Sequence, residues 1–334
     1  MSQIISASEL RDLLAASQKQ GKRVIAPVVA ETGESFFREI GDASAFVPNP
    51  GLRPANSIKE FFFPKTETIC SFKRHENDVD VVDSPLYEQE QVIIGSRPCE
   101  AAALPILDHV FSWDYQDRFY QRRREKTTVV TFACVASDES CFCSDVGGGP
   151  DNPSGSDAML FNLGDETYEV RVLTEKGQTL FAGVTRESEK SGQACAAPVK
   201  TFDAAAVSDW VKSHFSDPFW NEIALSCVGC GVCTYACPTC HCFDLIDQGS
   251  FMAGKRVKNW DSCQFAMFTK HASGHNPRPD QGSRQRQRLL HKFSIYPEKF
   301  GTLLCTGCGN CSRMCGVSLG IKPVLLEIER RRQE

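Results

Sequence analysis

The feature that most constrains this chain is a run of four cysteines that occurs twice. Each run has the spacing C-x2-C-x2-C-x3-C, and the two runs cover residues 227–237 and 305–315. In bacterial ferredoxins with two 4Fe-4S clusters, this spacing lets three thiolates of one run bind one cluster while the fourth reaches the other cluster. The sequence therefore predicts two 4Fe-4S clusters that lie side by side.

Crossed ligation assigns every cysteine of the two runs to a cluster. Each cluster takes the first three cysteines of one run and the last cysteine of the other. The predicted ligands are Cys227, Cys230, Cys233 and Cys315 for the first cluster, and Cys305, Cys308, Cys311 and Cys237 for the second. This arrangement ties the two runs into one unit.

A structural zinc ribbon is the alternative, because it also uses paired C-x2-C motifs. Zinc takes four ligands in two pairs, whereas a third and a fourth cysteine follow each pair of this chain at fixed spacing. The glycines of both runs also suit a backbone that wraps closely round a cluster and directs its N–H groups at sulfur. They are Gly229, Gly231, Gly307 and Gly309. The pattern favours clusters over zinc.

Composition argues against several other classes of protein. The chain has 334 residues, 17 of them cysteine, with 41% hydrophobic and 24% charged residues, so it is globular and too long for a secreted disulfide scaffold. Residues 1–14 lack the regions of a signal peptide. No apolar run approaches the roughly 18 residues of a membrane span, and a net charge of −5 gives no reason to expect nucleic acid. We expect a chain without a membrane span in a reducing cytoplasm.

Predicted strands and helices alternate before the first cysteine run. A helix is expected over residues 6–17, a strand–helix–strand unit over 88–133, and two or three strands over 158–183. The predicted fold class is α+β. A mixed α/β domain over residues 1–200 is followed by a helical, two-cluster ferredoxin-like domain with a long insert over residues 201–334.

Three shorter stretches carry predictions of their own. Ser57 and Glu60 fit a capping box. The three phenylalanines at 61–63 are expected in the core or at an interface. The basic run at 284–292 could bind an acidic surface or form a solvated helix face, and charge runs favour the second interpretation.

Four cysteines of the N-terminal half could form a third site. They lie just beyond predicted strand ends, where sites form in such units, and four thiols could hold another 4Fe-4S cluster. Free cysteines are also often small buried apolar residues, and spacing alone leaves both interpretations open. The four are Cys99, Cys134, Cys141 and Cys143. A buried-thiol role is favoured for the remaining Cys70, Cys195, Cys240, Cys242 and Cys263.

Six stretches from Ser57 to the end of the chain carry a family resemblance. They are RPCEAAAL at 97–104, CFC at 141–143, CVGCGVCTYACPTCHCFD at 227–244, WDSCQF at 260–265, HASGHNPRP at 271–279 and residues 286–315. Together they resemble the iron–sulfur β subunit of cytoplasmic NiFe sulfhydrogenases, a family that includes one of the subunits of anaerobic sulfite reductase. The family's second run usually carries proline after its last cysteine, where this chain has Gly316.

The resemblance implies an electron-transfer subunit of an oxidoreductase complex. Its partners would be a flavin subunit that binds NAD(P)H and a catalytic subunit, either a NiFe hydrogenase or a reductase. It also favours the third cluster, because the RPC and CFC elements recur with the ferredoxin part. The cysteines would be ligands, and no residue of the chain is predicted to be catalytic.

Two alternatives remain at this point. One is an electron-transfer subunit of a sulfite or heterodisulfide reductase-type complex, because the substrate would be bound by another chain. The other is an iron–sulfur redox sensor, which two adjacent, fully cysteine-ligated clusters disfavour because a sensor needs a labile cluster.

Overall fold

Two β-sheets organise the protein, whose computed structural model describes residues 1–334. The fold is a mixed α+β fold, as the sequence predicts. The strands are β1 (Ser2–Ser6), β2 (Arg23–Val29), β3 (Ser35–Glu39), β4 (Thr66–Arg74), β5 (Val79–Asp83), β6 (Gln91–Ser96), β7 (Thr127–Phe132), β8 (Ala158–Gly164), β9 (Thr167–Val172), β10 (Arg186–Ser188), β11 (Phe243–Gly249) and β12 (Ala253–Trp260).

The helices divide between the sheet region and the cysteine runs. They are α1 (Ala7–Lys19), α2 (Pro98–Ala101), α3 (Ala103–Phe111), α4 (Arg118–Lys126), α5 (Glu175–Phe181), α6 (Ala204–Ser213), α7 (Phe219–Ala224), α8 (Val232–Tyr235), α9 (Gln281–Leu290), α10 (Tyr296–Phe300), α11 (Asn310–Arg313) and α12 (Ile321–Gln333). A π-helical turn, His291–Ile295, joins α9 to α10. No helix combines the length and the apolar character needed to cross a membrane.

The larger sheet has eight strands in the order β10-β1-β9-β8-β7-β6-β2-β3. Strands β2, β6, β7 and β8 are parallel at its centre, and antiparallel strands flank them. Parallel strands are normally covered on both faces, and every residue of β6 is buried. The predicted strand–helix–strand unit is confirmed, because β6 and β7 pair in parallel with helices α2 to α4 between them.

Helix α1 lies where the sequence predicts a helix, and the structure shows a capping box at its start. The Ser6 hydroxyl accepts a hydrogen bond from the Glu9 backbone N–H at 3.3 Å, and the Glu9 carboxylate accepts the Ser6 N–H at 2.7 Å. Two of the four orphan donors of the helix are thereby satisfied. Leu10 and Leu14 lie on the opposite, fully buried face.

The capping box predicted at Ser57 and Glu60 is wrong in one half. Ser57 caps a 3₁₀ turn, Ile58–Phe61, by accepting the Lys59 N–H at 3.1 Å. Glu60 does not return to the Ser57 backbone but contacts Asn56 and Lys65. The following Phe62 and Phe63 are 0% and 1% exposed, which confirms their predicted place in the core.

Residues 158–183 form two of the predicted strands, β8 and β9, but not a third. Helix α5 follows instead. Thr174 caps its start by accepting the Gly177 N–H at 3.4 Å, and a Cβ at Gly177 would meet the Asp157 carbonyl oxygen at 2.1 Å. This close approach to β8 is a tertiary contact that strand-like alternation does not reveal.

The smaller sheet joins the two halves of the chain. Its order is β11-β12-β4-β5, with all neighbours antiparallel. Strands β4 and β5 precede the first cysteine run, whereas β11 and β12 belong to the insert between the runs. The insert therefore pairs directly with the N-terminal half.

The cysteine runs share a core with the C-terminal helices. Cys233 and Cys311 pack in one cluster of buried side chains with residues of α6, α7, α9 and α12, including Trp220, Leu289 and Leu325. Both interpretations of the basic run are wrong. Arg284, Arg288 and Lys292 are 9%, 2% and 2% exposed, because α9 packs against the cysteine runs instead of facing solvent.

Candidate functional site

The first predicted set of ligands lines a single cavity. Cys227, Cys230, Cys233 and Cys315 surround a space of about 260 Å³. The Gln285 amide donates to the Cys227 sulfur at 3.1 Å, and the Leu319 backbone N–H donates to the Cys315 sulfur at 3.2 Å. Donors to sulfur stabilise thiolate charge. The cavity thus collects the cysteines that crossed ligation groups together.

The second predicted set is more deeply buried. Burial raises the pKa of Cys305 to about 12, and the charge of Cys237 acts on both Cys305 and Cys308. Lys292 donates from its ammonium to the Cys237 sulfur at 3.3 Å and to the Leu304 carbonyl oxygen at 2.9 Å. The neighbouring Cys240 thiol, together with the nearby lysines, holds the pKa of Cys237 well below its ordinary value.

The loops of both runs depend on left-handed backbone. Gly307 has φ +65°, and a Cβ there would lie 2.5 Å from backbone atoms of Cys143. Only glycine combines this φ with so close an approach. The second run therefore lies directly against the C-x-C pair of the N-terminal half, and the Phe142 N–H donates to the Gly307 carbonyl at 3.0 Å.

The four N-terminal cysteines lie around one cavity. Parallel strands β6 and β7 end at the same edge of the larger sheet, so the segments that follow them meet there. The cavity has a volume of about 40 Å³. Its cysteines are Cys99, Cys134, Cys141 and Cys143, together with Cys195 and Cys308. Cys308 belongs to the predicted second cluster, so the third site adjoins the second.

Two arginines and one carboxylate surround Cys141. Arg53 and Arg313 donate to its sulfur at 3.4 and 3.3 Å. Asp138 accepts hydrogen bonds from Arg313 at 2.8 and 3.0 Å. Burial opposes ionisation of Asp138, but these hydrogen bonds and the charge of Arg53 outweigh it and hold its pKa well below the ordinary value. The thiol at Cys141 therefore faces fixed positive charge.

Glu100 is buried between the second and third sites. Its carboxylate accepts hydrogen bonds from the Ser57 hydroxyl at 2.6 Å, the Ile58 N–H at 3.2 Å and the Asn310 amide at 2.9 Å. Burial nevertheless raises the pKa of Glu100 to about 7. The carboxyl group links the N-terminal half to the second cysteine run through Asn310.

Buried cations lie among the thiols. The charge of Arg288 lies close to Cys233 and Cys311, one from each run, and those sulfurs outweigh burial and raise the pKa of Arg288. Its Nε and Nη2 atoms are buried without a hydrogen-bond partner, as is Nη1 of Arg97 at the third cavity. An unpaired buried charge is costly. Anionic clusters with thiolate and sulfide acceptors would fit these donors.

Comparison with known proteins identifies the family. Residues 226–319 match the family model of the 4Fe-4S dicluster domain. The chain is also 31% identical over 298 residues to sulfhydrogenase 2 subunit beta of Pyrococcus furiosus, which covers 82% of this chain and 87% of that protein. The chain belongs to the sulfhydrogenase β-subunit family. No solved structure matches it significantly.

Membership of the sulfhydrogenase β family makes this chain an iron–sulfur electron-transfer subunit. The dicluster domain implies two 4Fe-4S clusters, as the two runs predict. The assignment of individual cysteines to clusters stays a prediction. The third cluster on Cys99, Cys134, Cys141 and Cys143 likewise stays a prediction.

Several cysteines of this sulfhydrogenase β-family chain have neighbours that the sequence did not indicate. Cys195 lines the third cavity, and its N–H donates to the Cys134 carbonyl at 2.7 Å. Cys240 lies beside Cys237, and Cys242 and Cys263 line one cavity. The short CPTCHC stretch is the one signal that could have directed attention to Cys240 and Cys242.

Proposed function

We propose that this chain relays electrons between a flavin subunit that binds NAD(P)H and a catalytic subunit such as a NiFe hydrogenase. The observation that carries the proposal is the continuity of the thiol sites. Cys233 and Cys311 pack in one core, and Cys308 lines the cavity of the four N-terminal cysteines. Adjacent clusters held in this row would carry single electrons through the chain.

The ligands of the relay follow from the three groups of thiols. Cys227, Cys230, Cys233 and Cys315 would hold the first cluster, and Cys305, Cys308, Cys311 and Cys237 the second. Cys99, Cys134, Cys141 and Cys143 would hold a third. The chain's own residues position the clusters and set their potentials through donors to sulfur.

One end of the row is open to a partner. Cys230 is exposed, and Leu225 and Val228 beside it are 88% and 75% exposed. Exposed apolar residues around a redox site are typical of a protein contact. We assign this end to one of the two partner proteins. All 17 cysteines are free, which suits the reducing cytoplasm that we propose as the location.

The test uses the complex that co-purifies with the chain under anaerobic conditions. Iron, acid-labile sulfide and the identity of the partners are measured first, and about twelve irons per chain are expected for three clusters. Cys230→Ala should remove about four irons and stop electron transfer between NAD(P)H and the catalytic subunit.

Cys70→Ala is the matched control, because Cys70 lies on β4 outside the three thiol groups. It should retain both the iron and the transfer. Full iron content and normal transfer in Cys230→Ala would contradict the proposal, and zinc in place of iron would contradict it outright.

A further inference from the structure

Cys242 and Cys263 are brought together by the β11–β12 hairpin. Phe243 pairs with Trp260 at its open end, and the Asp261 N–H donates to the Cys242 carbonyl at 3.0 Å. Cys242 immediately precedes Phe243, Cys263 lies three residues after Trp260, and both side chains line the same cavity. Both thiols are free. A thiol pair in contact is the arrangement from which a reversible disulfide forms.

The pair lines a cavity that is separate from the three predicted cluster sites. The cavity has a volume of about 370 Å³ and is bounded by Phe268 and Ile295 on apolar walls and by Arg278 and Gln287 on polar ones. None of the predicted cluster ligands lines it. The thiols are therefore reachable by a small molecule that does not enter a cluster site.

The positive charge of the cavity favours the binding of an anionic molecule. Arg278 is the one permanently charged side chain of the wall, and no carboxylate lines the cavity beside it. Burial lowers the pKa of His241 to about 4 and that of His291 to about 3, so both imidazoles are neutral near pH 7. An unneutralised guanidinium favours a carboxylate on the bound molecule.

The pair also lies next to the first predicted cluster. Gln264, the residue after Cys263, lines the cavity of the first predicted cluster together with Cys233. The Gln264 amide donates to the Cys263 sulfur at 3.4 Å, which stabilises negative charge on this thiol in preference to Cys242. The geometry therefore distinguishes an attacking sulfur, Cys263, from a resolving sulfur, Cys242.

We propose that Cys242 and Cys263 form a redox-active thiol pair that reduces a small organic disulfide bearing a carboxylate. The source of electrons rests on the relay of the proposed function. The Cys263 thiolate attacks one sulfur of the substrate, the substrate S–S bond breaks, and one substrate thiolate leaves.

The Cys242 thiol then loses its proton and attacks the Cys263 sulfur, which releases the second substrate thiolate and leaves a Cys242–Cys263 disulfide. Two electrons from the relay and two protons restore both thiols. In sum, one substrate disulfide, two electrons and two protons give two substrate thiols.

The test uses the full chain purified anaerobically with its iron, and glutathione disulfide as the probe. Without reductant, peptide mapping after thiol alkylation should find a Cys242–Cys263 disulfide. Cys242→Ser should instead trap a mixed disulfide of glutathione on Cys263, and Cys263→Ser should trap none on Cys242. Cys70→Ser should behave as the unchanged chain does.

Arg278→Gln tests the predicted charge selection. It should slow oxidation of the pair by glutathione disulfide about fivefold, the factor that corresponds to about 1 kcal/mol. Oxidation by the uncharged bis(2-hydroxyethyl) disulfide should not change. Equal effects on both probes would overturn the assignment of an anionic substrate.

Two results would overturn the thiol pair itself. One is full alkylation of Cys242 and Cys263 after exposure to glutathione disulfide. The other is loss of about four irons in Cys242→Ser or Cys263→Ser with an unchanged circular dichroism spectrum, which would make these residues ligands. Peptide mapping measures disulfide formation without requiring electron transfer through the chain. An unchanged chain that exchanges with glutathione disulfide but cannot pass electrons would refute the proposed function alone.

Discussion

At the scale of single residues, the cations buried among the cysteines have the clearest consequence. Lys292 donates to the Cys237 sulfur, and Arg288 lies between cysteines of both runs. Positive charge beside a cluster stabilises the state with the added electron more than the oxidised state, so it raises the reduction potential. These side chains would therefore adjust the potentials of the clusters without binding them.

Replacing Lys292 with Met should lower the potential of the second cluster. Unit charges about 4 Å apart interact by roughly 4 kcal/mol at an effective dielectric constant of 20, so the expected shift is on the order of 100 mV. A redox titration followed by electron paramagnetic resonance measures it. Lys270→Met, at an exposed position of the insert, is the control, and equal shifts in the two variants would contradict the assigned role.

Glu169 on β9 is a residue whose ionisation supports the larger sheet. Its carboxylate accepts hydrogen bonds from the Gly192 N–H at 2.7 Å and from Arg171 at 3.0 and 3.1 Å. Burial opposes ionisation, but these hydrogen bonds outweigh it and lower the pKa of Glu169. The stabilisation is thus present above the ordinary pKa and is lost as pH falls through the lowered value.

Glu169→Gln should lower the free energy of unfolding by about 1 to 3 kcal/mol at pH 7. The difference from the unchanged chain should shrink as pH falls below about 5, because protonation then removes the same charge from Glu169 itself. Urea unfolding at several pH values measures the difference. Glu187→Gln, on the exposed part of β10, should show no such trend, and a pH-independent cost in Glu169→Gln would contradict the assigned charge.

At the scale of elements, the loops of the cysteine runs are held by contacts with other parts of the chain. The loop around Gly307 lies against Phe142 and Cys143, while the hairpin β11–β12 brings Cys242 to Cys263. The short helices α8 and α11 alone could not fix these loops, since helices of about one turn are unstable without tertiary contacts.

Gly307→Ala tests the contact between the second run and the C-x-C pair. The added Cβ would have to move backbone atoms of Cys143 that lie 2.5 Å away. We expect a fall in the thermal midpoint together with loss of iron. Gly274→Ala provides the matched control, because Gly274 also has positive φ, +86°, but nothing lies within 4 Å of the added Cβ. That variant bears only the backbone strain, about 1 to 2 kcal/mol. Similar losses in both variants would show that the contact is not what requires glycine.

At the scale of the whole molecule, the predicted third cluster would connect the two halves of the chain. Four of its cavity's cysteines precede residue 150, while Cys308 comes from the second run. Glu100 and Asn310 add a direct hydrogen bond across the same boundary. The smaller sheet makes a second connection, through β4 and β12. The predicted third cluster would therefore cross between the halves where Glu100 and Asn310 also connect them.

Cys99→Ala should lower the iron content by about four per chain if the third cluster is present. The other two clusters should stay reducible, because their predicted ligands are untouched. Iron analysis and electron paramagnetic resonance of the anaerobic chain measure both. Cys195→Ala serves as a comparison in the same cavity, since Cys195 is not a predicted ligand. Unchanged iron in Cys99→Ala would refute the third cluster.

The sequence by itself determined the features that depend on local spacing. The two cysteine runs predict the dicluster domain, because three of the four predicted ligands of each cluster come from one short loop. The apolar residues at helical spacing likewise predict a helix over residues 6–17, since that pattern involves neighbouring turns only. The parallel pair β6–β7 follows from its apolar, β-branched strands and the helices between them.

Only the tertiary structure decided the features that depend on distant contacts. The basic face of α9 is buried against thiols that come from both cysteine runs. Because those runs are far apart in the sequence, the charge pattern of α9 alone does not reveal that it is buried. Cys195 reaches the third cavity, and Cys242 meets Cys263, through strand and loop packing. Hydrophobic periodicity and spacing report on one element at a time, whereas these sites are made where separate elements meet.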